Sequence, residues 1–338
     1  FSDALYSAIR ACLAKGEQAM LLQNRRGYST FVSCRGCGHV MKCQRCDVSL
    51  SYHKNDETLR CHYCGERISV PLVCPECKKP YLKYFGQGTQ QVEEAVKKAF
   101  PMARALRMDR DTTVKKGSHL AILNAFANRE ADILIGTQMI AKGLDFPNVT
   151  LVGVVAADAT LFMSDYRSAE RAFSLITQVA GRAGRDESDG TAIVQTYSPG
   201  HPSIRFAAAH DYEGFYEYEI EKRQKCQYPP FADFVRVLFT GPDYRVVKSA
   251  CEAFAESAKS LIQRELAKEP GEEDTLVYLR AMPAPIGFIK EEFRFQVLAK
   301  LLRTPAAERA IALLGVFCRD YEAKGCLLSM EANPQNML

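Results

Sequence analysis

Between positions 34 and 77, eight cysteines fall into four Cys-x-x-Cys pairs: Cys34/Cys37, Cys43/Cys46, Cys61/Cys64 and Cys74/Cys77. Two thiolates at this spacing sit on one tight turn and reach the same tetrahedral Zn²⁺. Four pairs therefore predict two four-cysteine sites holding two structural zinc ions. A single pair would suit a redox motif, but four in one cluster do not. Only five residues separate Cys37 from Cys43, which is short for two pairs sharing one metal. The 14 residues between Cys46 and Cys61 suit a zinc ribbon. Nested grouping is favoured on these distances, Cys34/Cys37 with Cys74/Cys77 around Cys43/Cys46 with Cys61/Cys64. A crossed grouping, first pair with third and second with fourth, stays open. Sites with four cysteines and no open position are scaffolds rather than catalysts.

A chain of 338 residues, 47% hydrophobic, can bury a core in one to three domains. Its net charge of +4 does not by itself imply a nucleic-acid partner. The remaining cysteines, Cys12, Cys226, Cys251, Cys318 and Cys326, are scattered and read as core residues. Without a disulfide-like framework, such cysteine usage points to a reducing compartment, and a cytoplasmic location is expected. No apolar run reaches the roughly 18 residues of a membrane helix, so no membrane partner is expected. The chain opens at Phe1, already in a helix-like pattern, and reads as a fragment.

Ser2 followed by Leu5, Ile9 and Cys12 predicts a capped helix ending at Gly16. Residues 18–24 predict a buried strand, closing on Arg25 and Arg26. After the cysteines, Leu82–Phe85 predicts a strand running into Gly86-Gln87-Gly88-Thr89 and a helix. Glycines and a threonine at a helix start can present free N–H groups to an anion, or simply cap the helix. Strands at 104–108, 132–136 and 149–156 alternate with helices, the pattern of a parallel α/β sheet. Residues 199–230 read as a helical connector ending at Pro229-Pro230. Beyond 231 the order is β-α-β-β-α-β, the ferredoxin-like arrangement.

Two further stretches carry specific information. Residues 135–149 read IGTQMIAKGLDFPNV, and residues 178–185 read QVAGRAGR. In this order and separation they resemble motifs V and VI in the second RecA-like lobe of superfamily 2 helicases. Together with NRRGYS (24–29), the eight cysteines, YFGQGTQQVEE (84–94) and RMDRD (107–111), they resemble the PriA family of primosomal replication-restart helicases.

The resemblance implies a RecA-like helicase lobe 2 (1–27 and 83–198) with an inserted two-zinc region (28–82). A connector (199–230) and an α+β ferredoxin-like C-terminal domain (231–338) would follow. The family uses ATP with Mg²⁺ to move 3′→5′ on DNA. No Gly-Lys-Ser/Thr phosphate loop occurs in these residues, so the chain alone is expected not to hydrolyse ATP. By resemblance, Arg182 and Arg185, with Gln178, would face the γ-phosphate, Arg185 as the arginine finger. Gly143 and Asp145 would lie near the nucleotide. Arg25, Arg26, Gly88, Thr89 and Thr137 would touch DNA. Arg294 and Gln296 would hold the acidic C-terminal tail of a single-strand-binding protein. Forked and single-stranded DNA and other primosome proteins are the remaining expected partners. A zinc-ribbon DNA-binding or assembly module without enzymatic activity is the alternative reading.

Overall fold

The computed structural model describes residues 1–23, 31–46, 48–53, 57–62, 64–84, 89–109, 112–113, 115, 117–141, 146–183, 190–335 and 337. In chain order the elements are α1 (Asp3–Ala14), β1 (Gln18–Leu22), β2 (Val32–Cys34), β3 (Ser51–His53), β4 (Thr58–Arg60), β5 (Arg67–Ser69), β6 (Leu82–Tyr84) and α2 (Thr89–Ala99). They continue with β7 (Ala105–Met108), α3 (Ser118–Ala127), β8 (Ile133–Gly136), α4 (Gln138–Ala141), β9 (Val149–Val154), α5 (Asp158–Leu161), α6 (Ser168–Ala180), β10 (Thr191–Val194), α7 (Pro202–Ala208) and α8 (Tyr212–Lys225). The last are β11 (Ala232–Gly241), α9 (Tyr244–Leu266), β12 (Leu276–Ile289), β13 (Glu292–Leu302), α10 (Pro305–Asp320) and β14 (Leu327–Ala332).

The chain divides into two compact units: residues 1–40, 71–163 and 167–218 in the first, and 41–70, 164–166 and 219–338 in the second. The first is built on a five-stranded parallel sheet in the order β10-β9-β1-β8-β7. Its inner strands are apolar on both faces, as a sheet covered by helices on each side requires. Ala19 and Leu21 of β1 pack with Leu5 and Ile9 of α1 and with Val92 and Val96 of α2. Met20 and Leu22 face the other way, into a cluster with Phe126 of α3 and with Ala172, Phe173 and Ile176 of α6. Ser2 caps α1 by accepting the Leu5 N–H, as its sequence position predicts.

One strand is not where the alternation placed it. Residues 82–84 do form a strand, but β6 runs antiparallel to β2 rather than joining the parallel sheet. The period of a short apolar run does not reveal its pairing partner.

The second unit holds a four-stranded antiparallel sheet in the order β12-β13-β11-β14. α9 and α10 cover one face through Val247, Phe254, Ile262, Ala310 and Leu314 against Val235, Phe295 and Val297. β12 and β13 form one hairpin, turning at Lys290 and Glu291, both at positive φ. The stretch Pro283 to Phe288 interrupts the β12 register. β12 is an edge strand, where a proline's missing N–H leaves no ladder bond unmade. Among the described residues no helix is long and apolar enough to cross a membrane.

Candidate functional site

The cysteine turns share one local design. The N–H of the first cysteine bonds the carbonyl five residues on: Cys34 to His39, Cys43 to Val48, Cys61 to Glu66, Cys74 to Lys79. In three of them the fifth residue donates its N–H back to that cysteine's carbonyl: Gly38 to Cys34, Gly65 to Cys61, Lys78 to Cys74. Closing the turn this way needs a left-handed residue, and φ is +76° at Gly38, +74° at Gly65 and +60° at Lys78. The two C-x-x-C-G strings carry this signal in the sequence. Lys78 adopts the same conformation against the steric preference of an L-residue.

The turns gather in nested order. Cys34, Cys37, Cys74 and Cys77 form one group and Cys43, Cys46, Cys61 and Cys64 the other, with the sulfurs of each within 4.8 Å of one another. Within the groups, Cys34–Cys77 is 3.6 Å, Cys37–Cys74 3.7 Å and Cys43–Cys64 3.5 Å. Zinc–sulfur bonds of about 2.3 Å in a tetrahedron separate neighbouring sulfurs by about 3.8 Å, and a disulfide needs about 2.05 Å. The spacing fits a shared tetrahedral cation and not a disulfide. Crowding points the same way. The Cys46 thiol is pushed far above its ordinary pKa, first by Cys43, then by Cys61 and by burial. A divalent cation removes that penalty by holding the sulfurs as thiolates. Both groups therefore fit structural zinc, and each ion would fix two cysteine turns to one point.

The first group belongs to the first unit and the second group to the second. In the first, Gly38 lies so close to the 196–198 segment that an added Cβ would meet the Tyr197 carbonyl at 2.3 Å. The Arg35 guanidinium lies 4.6 Å from the centre of the Tyr197 ring. Asp158 holds that segment by accepting the Tyr197 N–H, at 3.1 Å to one carboxylate oxygen.

The second group lies against the sheet face opposite α9 and α10. The Tyr228 hydroxyl donates to the Cys46 carbonyl, and Arg280 donates to the Cys64 carbonyl. Lys300, 7% exposed, donates to the Cys226 carbonyl at 2.7 Å and sits 4.9 Å from the Tyr228 ring centre. Burial pulls the Lys300 pKa down, and Cys46 pulls it back up. A zinc bound by four thiolates carries about −2, so Arg280 and Lys300 are its nearby counter-charges. Beside it His53 and His62 bring their Nε2 atoms to 3.2 Å. Burial and neighbouring positive charge push them to about 4 and about 3, so both are neutral at neutral pH. Sequence reasoning missed Tyr228, Arg280 and Lys300, because nothing local marks a residue that meets the cysteines only through the tertiary fold.

The helicase-motif residues divide into described and undescribed. Arg25, Arg26, Gly88, Gly143, Asp145 and Arg185 lie outside the described residues. Thr137 is half-buried at the carboxyl end of β8, and its carbonyl accepts the Ile140 N–H. Ligands of open α/β sheets gather at this edge. Thr89 opens α2, but its buried hydroxyl is committed to Asp109 at 2.6 Å, leaving the backbone as its group for an anion. α4, just after Thr137, packs on α6, whose last turn carries an exposed Gln178. Arg182 follows that helix, half-buried, with its N–H on the Val179 carbonyl. On β13, Arg294 reaches the Ile286 carbonyl at 3.5 Å, and burial and then Arg236 lower its pKa. Gln296 is 1% exposed, and among the described residues neither amide atom has a hydrogen-bond partner.

Comparison with known proteins agrees with this arrangement. Residues 43–68 match the PriA DNA helicase Cys-rich region (CRR) domain, and residues 82–187 match the Helicase conserved C-terminal domain. The chain is 46% identical to the Replication restart protein PriA of Bacillus subtilis (strain 168), over 100% of the chain and 41% of that protein. It is 47% identical to the protein of the same name from Synechocystis, over 89% of the chain and 35% of the relative. The Treponema pallidum protein is 36% identical over 100% of the chain and 49% of its own length. The chain thus spans between about a third and a half of these relatives. On the joint match of helicase lobe, cysteine region and identity along the whole chain, the chain belongs to the PriA family.

Proposed function

We propose that the chain is the RecA-like second motor lobe, two-zinc region and C-terminal domain of an ATP-dependent 3′→5′ DNA helicase. That helicase recognises stalled or branched replication forks and restarts replication by assembling a primosome in the cytoplasm. The observation that carries this reading is the 46% identity along the whole chain to a replication restart protein. The lobe comprises residues 1–27 and 83–198. The sheet order β12-β13-β11-β14, antiparallel throughout, supports a ferredoxin-like reading of the last domain.

In this reading ATP and Mg²⁺ supply the driving reaction, and their cradle belongs to a lobe outside these residues. Arg182 and Arg185, aided by Gln178, neutralise charge on the γ-phosphate from across the lobe interface. Gly143 and Asp145 approach the same nucleotide. Arg25, Arg26, Gly88, the Thr89 backbone and Thr137 hold the DNA backbone. Arg294 pairs with an acidic tail of a single-strand-binding protein, and the orphaned amide of Gln296 supports a polar ligand beside it.

The test joins the chain to the first lobe of the Bacillus subtilis relative. DNA-stimulated ATP hydrolysis is expected in the joined protein, absent from the 338-residue chain, and reduced on the order of 10³-fold by Arg185→Ala. DNA-stimulated hydrolysis by the chain alone, or full activity of Arg185→Ala, overturns the motor assignment.

A further inference from the structure

We propose that the cleft between β4–β5 and α9 in the second unit is a subsite for one nucleotide of a single DNA strand. The phosphodiester lies against Arg60, Arg67 and Lys248, and the base stacks on Tyr244. The proposal rests on the DNA-binding reading above and gives it a site that the helicase motifs do not supply.

The cleft is a cavity of about 270 Å³ to which Arg60, Arg67, Lys248, Tyr244, Met282 and Phe295 contribute. Arg60 of β4 stands directly opposite Arg67 of β5 in the antiparallel ladder. Like charges at directly paired positions destabilise a two-strand ribbon. A compact anion between them turns that repulsion into two attractions. Lys248 brings a third cation from α9. Glu252 lines the same cleft, but its ion pair with Lys248 is long, at 3.8 Å, with the two side chains about half exposed, so the pair competes weakly with a phosphate.

The aromatic side of the cleft selects what is attached to the anion. Tyr244 is 48% exposed. It is held nearly perpendicular to Phe293 and Phe295, with centroids 5.5 and 5.4 Å away. A ring fixed this way is a platform and loses little freedom when a second ring stacks on it. Beneath it Met282 and Phe295 make the floor apolar. A compact tetrahedral anion joined to a flat ring is a nucleotide, and base-on-aromatic stacking beside a cationic groove is how single strands are held without sequence preference. A peptide of Asp and Glu alone offers the charges without the ring.

The experiment measures binding of a fluorescein-labelled oligo(dT) to the zinc-loaded 338-residue chain by anisotropy, across a salt series. Zinc content and circular dichroism confirm that each variant is folded. Arg67→Ala is expected to weaken binding about fivefold or more and to reduce the salt slope by about 0.7. Tyr244→Leu is expected to weaken binding by a similar factor with the slope unchanged, Tyr244→Phe to restore it, and an abasic strand to abolish the difference between them. Wild-type affinity in both Arg67→Ala and Tyr244→Leu overturns the subsite while leaving DNA binding elsewhere intact. No binding by the unaltered chain overturns the DNA reading and the subsite together. Displacement of the strand by poly-glutamate, with Tyr244→Leu silent, makes the cleft an acidic-peptide site and overturns the proposal.

Discussion

Cys43, Cys46, Cys61 and Cys64 are between 1% and 9% exposed, whereas in the other group Cys37 is exposed and Cys77 half-buried. Three of the four turns share the same pair of hydrogen bonds and the same left-handed closing position, two in the first group and one in the second. The difference lies in what surrounds them. The second group rests on a sheet face with Tyr228, Lys300 and Arg280 around it. The first meets its unit at Gly38, against the Tyr197 carbonyl and the Ser198 hydroxyl, and at Arg35, whose guanidinium lies over the Tyr197 ring. Local geometry thus sets which residues can hold a zinc, and tertiary surroundings set how firmly the fold depends on it.

The sharpest way to break this comparison is to remove one ligand from each group. Cys61→Ser and Cys37→Ser should each lower zinc from two per chain to one. Because structural zinc contributes on the order of 10 kcal/mol to folding in small sites, both should destabilise, with the larger fall in melting temperature for Cys61→Ser. Equal falls would mean that surroundings add nothing. A chelator time course sharpens the same point: zinc should leave in two phases, with alkylation labelling Cys37 and Cys77 in the faster one. Next in size, Lys300→Met should cost about 3 kcal/mol in urea unfolding, the usual consequence of stripping a buried centre of a counter-charge. Unchanged stability would show that the thiolates need no cation there.

Two glycines then separate turn strain from docking. Gly65→Ala meets nothing within 4 Å and should cost only the left-handed penalty, about 1 kcal/mol. Gly38→Ala adds a collision with the Tyr197 carbonyl and should cost about 2–3 kcal/mol. Similar losses in the two would argue that the first group is not pressed against its neighbour. The smallest effect runs the other way. Lys78→Gly should raise stability by about 1 kcal/mol, because φ there is already +60°.

Much of this was legible before any coordinates. The five-residue gap after Cys37 spoke for nested grouping, and the structure forms it. The apolar runs at 18–22, 133–136 and 149–154 became central parallel strands because nothing but burial on both faces suits such runs. What stayed hidden was pairing and support. β6 went to β2 because register depends on a partner 50 residues away. Nothing in the sequence around Arg280 or Lys300 marks the carbonyls they reach, at Cys64 and Cys226, which lie 216 and 74 residues away.

The pairing of β2 with β6 has one more consequence. Val32 faces Tyr84 and Cys34 faces Leu82 across a two-stranded ribbon, so the excursion between them departs and returns at adjacent points. A parent lobe whose outgoing and incoming ends already touch does not register the length of what hangs between them. Loop-closure entropy grows only with the logarithm of that length. Such a seam ties the two ends of the excursion together whatever lies between them.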